Sequence, residues 1–257
     1  MGNKLLMDLI RNKVDNLPIE QCFLTDLKAT VSACNPPSKR SAYFKPSSLQ
    51  CMRIMYFDRI QAPIDAAMTE YSGARICETG SNSHECIQRY VSKMRELGKD
   101  WEFVDVETYI KEKQLDYLTV KSKKLFETHL IDTRYGISFL CDGILKHAGH
   151  YYIFEIKTET DDKGLGRDEA DPYHKFQSVS YSLSLGINDI IWLYEERNFC
   201  CPKSFHTIVT DEDRLNLIQR FETVEQAVKD LIPPEKCTSR KTCTYCPYKT
   251  ECRKYRQ

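Results

Sequence analysis

The sequence predicts an α/β fold: a central mixed β-sheet flanked by helices. Two observations carry that prediction. Apolar runs rich in β-formers, Phe139-Leu140-Cys141-Asp142-Gly143-Ile144-Leu145 and Tyr152-Ile153-Phe154-Glu155-Ile156, are joined by Lys146–Tyr151, a hairpin-like turn that carries Gly149. Before and after them, apolar residues recur at the spacing of one helix face. A chain of 257 residues with 41% hydrophobic content can bury one sizeable core and a small appendage.

Taken in order, Leu5, Leu6, Leu9, Ile10 and Val14 have a helical spacing, and a short helix is expected around 19–33 before the breaker Pro36-Pro37. Residues 1–40 are therefore expected to form a helical extension, and 41–257 a single domain. Lys45-Pro46-Ser47-Ser48-Leu49 reads as a serine-capped helix start leading into Cys51–Phe57. A long helix follows over 74–96, interrupted by Gly80, with His84 near its middle. From Trp101 the period changes. Segments near 102–110, 122–131, 136–145 and 151–158 are predicted to be strands of one sheet, the last three as a meander. The polar run 159–166 is a loop, 172–185 a helix, 189–196 and 203–210 two more strands, and 211–231 an amphipathic helix capped by Asp211 or Asp213. Pro233-Pro234 breaks the chain before a Cys-rich, basic tail over roughly 233–257.

Lysines plus arginines equal acids at 37 each, so no global field announces a polyanionic partner. No run of about 18 apolar residues exists to cross a membrane, and Met1-Gly2-Asn3-Lys4-Leu5-Leu6 lacks a signal-peptide pattern. A soluble, cytoplasmic protein is expected. In that setting twelve cysteines point to metal binding rather than disulfides. Scattered Cys22, Cys34, Cys77, Cys86 and Cys141 read as small core residues.

The chemistry centres on the two apolar runs. Glu155 and Lys157 differ by two and so share a strand face, and pairing of the strands brings Asp142 beside them. Acid-x-lysine pairs are common. Asp142 and Glu155 stand out because each sits among apolar neighbours, where a charge is either paired or metal-bound. Two carboxylates suit Mg²⁺ or Mn²⁺, and a lysine among them can hold a water or a phosphate oxygen. His84 precedes the sheet on a helix, Glu127 lies on the strand before Asp142, and Gln177 and Tyr181 share a helix face one turn apart. In the tail, Cys243-Thr244-Tyr245-Cys246 and Cys252 give C-x2-C-x5-C, with Cys237 upstream. Spacing alone admits Zn²⁺ on Cys237, Cys243, Cys246 and Cys252, or an iron–sulfur cluster. Lys241, Lys249 and Arg253, interleaved with Tyr245, Tyr248 and Tyr255, suit phosphate contacts and base stacking on a single strand as readily as they suit a solvated terminus.

In this order, His84, Asp142, Glu155-x-Lys157 and Gln177-x3-Tyr181 resemble the RecB-type branch of the PD-(D/E)xK nuclease superfamily, whose core is restriction-endonuclease-like. The resemblance implies metal ligation by His84, Asp142, Glu155 and the carbonyl of Ile156. It assigns the attacking water to Lys157, and the DNA path to Gln177 and Tyr181. The tail motif, together with Ser47-x-Leu49…Cys51-x-Arg53…Tyr56, resembles Cas4/AddB-like iron–sulfur exonucleases. That implies a 4Fe–4S cluster on Cys51, Cys243, Cys246 and Cys252, making an iron–sulfur lobe from both ends of the domain, with Cys237 to spare. The likeness covers about residues 41–255. The function it implies is Mg²⁺- or Mn²⁺-dependent DNA cleavage, exonucleolytic on single-stranded or end-bearing DNA, with a helicase, integrase or recombination protein as candidate partner. The alternatives are a Cas4 subunit of CRISPR adaptation that needs a partner, and a non-catalytic DNA-binding or inhibitory module on the same fold.

Overall fold

A computed structural model of the chain describes residues 18–35, 41–65, 71–160, 166–244 and 246–255. The chain divides into two compact units, Met1–Lys39 with Ala66–Thr79, and Arg40–Asp65 with Gly80–Gln257. The helix expected over 1–16, the Pro36-Pro37 breaker and most of the 159–166 loop lie outside the described residues. In the smaller unit, helix α1 (Ile19–Cys34) has no buried residue.

The larger unit opens with a 3₁₀ turn, Pro46–Ser48, and helix α2 (Met52–Arg59). The expected serine cap is absent: Cys51 holds the N-cap position without a side-chain bond, and Ser48 Oγ donates instead to Asp58 Oδ2 at 2.8 Å. Helix α3 (Tyr71–Ser92) carries His84, and its residues from Gly80 onward belong to this unit.

Strand β1 (Glu102–Val104) is shorter than the predicted 102–110, because Asp105 accepts from the Thr108 amide at 3.0 Å and caps helix α4 (Val106–Glu112). The segment 122–131 is not one strand. It spans a hairpin between β2 (Leu118–Lys124) and β3 (Glu127–Asp132), turning at Leu125 with φ 54°. The segment 136–145 breaks at Asp142 into β4 (Ile137–Cys141) and β5 (Gly143–His147). Strand β6 (His150–Glu159) returns through Ala148 and Gly149, at φ 48° and 84°, the left-handed pair that a two-residue hairpin turn requires and that glycine adopts without strain.

A 3₁₀ turn, Pro172–His174, runs into helix α5 (Lys175–Leu185), and strands β7 (Asp189–Glu196) and β8 (Pro202–Ile208) follow. Helix α6 (Asp211–Asp230) is capped by Thr210, with Asp213 completing the capping box, rather than by Asp211 or Asp213 as N-cap. The tail forms two short helices, α7 (Arg240–Thr244) and α8 (Lys249–Lys254).

The strands make two sheets, not the one expected: β1-β5-β6-β7-β8, mixed because only β6 and β7 run parallel, and an antiparallel β2-β3-β4. Asp142 is the joint between them. Alternation along β6 and β7 divides the larger sheet's residues between two cores. Ile153, Ile190, Trp192 and Tyr194 join the main core with Val179 and Leu185 of α5, whereas Phe154 and Ile156 pack with Ile87 and Val91 of α3. Each fully buried side chain of this size contributes about 1.5–3 kcal/mol of transfer free energy. Of the scattered cysteines expected in the core, only Cys141 is buried; Cys34 and Cys77 are exposed.

Candidate active site at the joint of two sheets

Strand pairing builds the site. Residues Gly143 to His147 of β5 pair with β6 only as far as Phe154, so β6 runs beyond its neighbour. The Ile156 amide, left without a strand partner on that side, donates to Asp142 Oδ2 at 2.8 Å. Backbone N–H and C=O of one strand residue point the same way, so the Ile156 carbonyl lies on the Asp142 side too. From α3, His84 Nδ1 lies 3.2 Å from Asp142 Oδ1, and one turn on, Gln88 Nε2 donates to the Asp142 carbonyl at 2.6 Å. Asp142 is thus fixed at its carboxylate and at its backbone. Gln88 is not singled out by the sequence, although a polar residue four positions after His84 on the same helix face is the available signal.

Glu155 sits on the opposite face of β6 and is 3% exposed. Its Oε1 accepts from Lys157 Nζ at 2.6 Å and from Gln177 Nε2 at 2.5 Å, and Gln177 Nε2 also lies 2.7 Å from the Tyr181 hydroxyl. Its Oε2 is buried without a hydrogen-bond partner. Tyr181 is itself buried, and the half-buried Gln177 links its hydroxyl to Glu155. His84, Asp142, Glu155, Lys157, Gln177 and Tyr181, dispersed over nearly a hundred residues, therefore meet in one place.

The charges shape one another. Burial raises the Glu155 carboxyl to about 7, against the pull of Lys157 and with a push from Asp142. Burial alone would lower the His84 imidazole, but the hydrogen bond and charge of Asp142, with Glu155 behind them, raise it above its ordinary value. Glu127, lining a small cleft with His84, Gln88 and Lys124, is raised by burial and then by Asp142. On the α5 side, burial lowers His174 to about 3, with Lys157 adding to the effect.

The donor set is one imidazole, two carboxylates and a backbone carbonyl, with one buried carboxylate oxygen unsatisfied. Oxygen-rich ligation of that kind fits Mg²⁺ or Mn²⁺. As the side chains stand, no three His, Cys, Asp or Glu among the described residues are gathered in metal-holding geometry; here Lys157 occupies Glu155.

The tail brings a second group together. Burial raises the buried Cys51 thiol to about 11, with Cys237 and Cys246 pushing it further, and Cys246 in turn feels Cys252 and Cys243. N–H groups are directed at three of the sulfurs: Ser239 N at Cys237 Sγ (3.2 Å), Tyr248 N at Cys246 Sγ (3.4 Å) and Arg53 Nη1 at Cys252 Sγ (3.5 Å). The expected stacking surface is reduced. Tyr248 is 1% exposed with its hydroxyl on Asp58, Tyr245 lies outside the described residues, and Lys241 is paired with Asp171 at 2.9 Å. Lys249 and Arg253 lie on α8, which has no buried residue.

No protein-family model and no curated protein matches this sequence. Among solved structures, the chain is similar to SSO0001, at 16% identity and a TM-score of 0.41, over 92% of this chain and 96% of that one. It is also similar to an alkaline exonuclease (LHK-Exo) from Laribacter hongkongensis, at 12% identity and a TM-score of 0.43 over 75% and 90% of the two chains. LHK-Exo in complex with dAMP gives 11% identity and a TM-score of 0.42, over 78% and 92%. No helix among the described residues is long and apolar enough to cross a membrane.

Proposed function

We propose that this protein is a metal-dependent deoxyribonuclease that hydrolyses phosphodiester bonds, acting as an exonuclease on single-stranded or end-bearing DNA. The observation that carries the reading is the convergence of His84, Asp142, Glu155 and Lys157 at the β5–β6 edge, with Glu155 Oε2 buried and unpartnered. His84, Asp142, Glu155 and the Ile156 carbonyl are the residues that would hold Mg²⁺ or Mn²⁺. Such a cation, when bound, lowers the pKa of a bound water and neutralises charge on the scissile phosphate. Gln88 and the Ile156 amide hold Asp142 in place, and Gln177 with Tyr181 does the same for Glu155. Lys157 is the cation of the set: once displaced from Glu155, its ammonium would be free to orient a water or meet the charge that develops on the phosphate. The resemblance of the ordered motif names DNA as the substrate class, with Lys249 and Arg253 available for phosphate contacts.

Cys51, Cys243, Cys246 and Cys252 are proposed to hold a 4Fe–4S cluster, with zinc on Cys237, Cys243, Cys246 and Cys252 as the alternative. Support comes from Cys237 and Cys246 acting on the Cys51 thiol, from Cys243 and Cys252 acting on Cys246, and from the N–H groups aimed at Cys237, Cys246 and Cys252.

The test is cleavage of end-labelled single- and double-stranded DNA with Mn²⁺ or Mg²⁺, beside Asp142→Ala and Glu155→Ala. Activity that needs the cation and disappears in both folded variants is expected. Unchanged cleavage in either variant would remove the assignment.

A further inference from the structure

We propose that Arg53 and Arg220 are the counter-charges of an anionic metal–thiolate centre formed by Cys51 and the tail cysteines. This rests on the cluster reading above and adds to it the charge of the centre and the residues that balance it.

Arg53, on α2, is 1% exposed. Its Nε donates to the Pro234 carbonyl at 2.8 Å, and its Nη1 to the Tyr255 carbonyl at 3.2 Å and to Cys252 Sγ at 3.5 Å. Its Nη2 is buried with no partner. Arg220, on α6, donates to the Leu49 carbonyl at 2.7 Å and lies 4.5 Å from the centre of the Phe176 ring; its Nε is buried and unpartnered. Burial lowers the Arg220 guanidinium, with Cys51 and Cys237 acting in the opposite direction. Among the described residues, neither guanidinium forms an ion pair with a carboxylate, although other arginines of the unit do, such as Arg59 with Glu225 and Arg134 with Asp132.

A guanidinium stays protonated in a protein, and burying it without an anion is strongly unfavourable. Arg53 is such a group and touches Cys252 Sγ, while Arg220, half-buried, reaches the carbonyl of Leu49, two residues before Cys51. Free thiols are neutral and so is a disulfide, so neither supplies the missing negative charge. Four thiolates on Zn²⁺ leave a net negative charge, and four thiolates on an iron–sulfur cluster do the same. The Ser239 and Tyr248 amides aimed at Cys237 and Cys246 add dipoles of the sign that an anionic centre favours.

Removing one cation should loosen the metal. In a redox-active cluster it should also disfavour the reduced, more negative state and make the midpoint potential more negative. The test uses full-length protein purified anaerobically, analysed for iron, sulfide and zinc per chain. Metal transfer to EDTA is then timed for wild type, Arg53→Met, Arg53→Lys and Arg220→Met, with circular dichroism as the check on folding and, for an iron-loaded protein, a midpoint potential. Loss about tenfold faster in both methionine variants is expected, with Arg53→Lys within about twofold of wild type because it keeps the charge. Folded, metal-loaded methionine variants that release metal at the wild-type rate would overturn the counter-charge role and leave the cluster standing. An Arg53→Lys variant as impaired as Arg53→Met would overturn it too, by reducing Arg53 to a tie between carbonyls. Should Arg53→Met fail to fold, Arg220→Met decides, since the half-buried Arg220 gives up one carbonyl bond and its place over the Phe176 ring. Wild-type protein with neither iron nor zinc overturns the cluster reading and this inference with it.

Discussion

At the scale of single residues, Glu155 explains how the site answers to pH. It is a carboxyl enclosed by the fold, raised by burial to about 7, with one oxygen gripped by Lys157 and Gln177 and the other unpartnered. With Glu155 as a ligand in the proposed site, a divalent cation would compete with its proton, so cation affinity should climb as the pH passes through about 7. Near pH 6 the Mn²⁺ affinity measured by calorimetry, with Asp142→Ala as the blank, should be about tenfold weaker than near pH 8. An affinity flat across that range would remove Glu155 from the ligand set. The linkage to stability has the matching sign. Because the folded value lies above the unfolded one, the contribution of protonated Glu155 is complete below the ordinary carboxylate value and is lost as the pH rises through about 7. Without a cation, this group makes the fold less stable in mild alkali than in mild acid.

At the scale of elements, the joint between β4 and β5 positions Asp142. Gly143 follows it directly, and a Cβ there would enter the Phe103 ring, with Cε2 only 2.8 Å away. Phe103 cannot retreat freely, because it meets Phe126 edge-on at 5.3 Å, and Phe126 sits in the β2–β3 turn. Gly143→Ala should therefore cost about 1–3 kcal/mol in urea unfolding and weaken Mn²⁺ binding with it. Full stability would mean that Phe103 moves aside at no cost. The strand alternation that puts Glu155 and Lys157 on one face was readable from their spacing. The break at Asp142 was not, since 136–145 reads as one continuous apolar run. What ends β4 and starts β5 there is the pairing of each half with a different sheet.

At the scale of the whole larger unit, the tail is part of the core. The Tyr248 hydroxyl donates to Asp58 Oδ1 at 2.5 Å, the other Asp58 oxygen accepts from Ser48, and Asp65 bonds the Pro247 carbonyl through its amide at 2.8 Å. Residues nearly two hundred positions apart are thereby joined without any metal. Tyr248→Phe, which leaves Asp58 short of a donor, should destabilise by about 1–3 kcal/mol in urea titration while leaving cleavage rates unchanged. An equal fall in both would place Tyr248 in the proposed active site. From the sequence, Tyr248 reads as an exposed base-stacking residue because its neighbours are basic; only packing against Phe57, 5.4 Å between ring centres, shows that it is core.

Readable in the sequence were the α/β class, the hairpin around Gly149, and the expectation that His84, Asp142, Glu155, Lys157, Gln177 and Tyr181 meet. Local periodicity and the oddity of charges inside apolar runs are properties of neighbouring residues. Only the packed chain shows that the strands split into two sheets with Asp142 between them, that Gln88 braces its backbone, that Tyr181 faces inward, and that the buried Arg53, without a carboxylate, touches Cys252. Each of those facts depends on groups far apart in the chain, and whether a charge or hydroxyl is satisfied can be read only once its partners from other elements are in place.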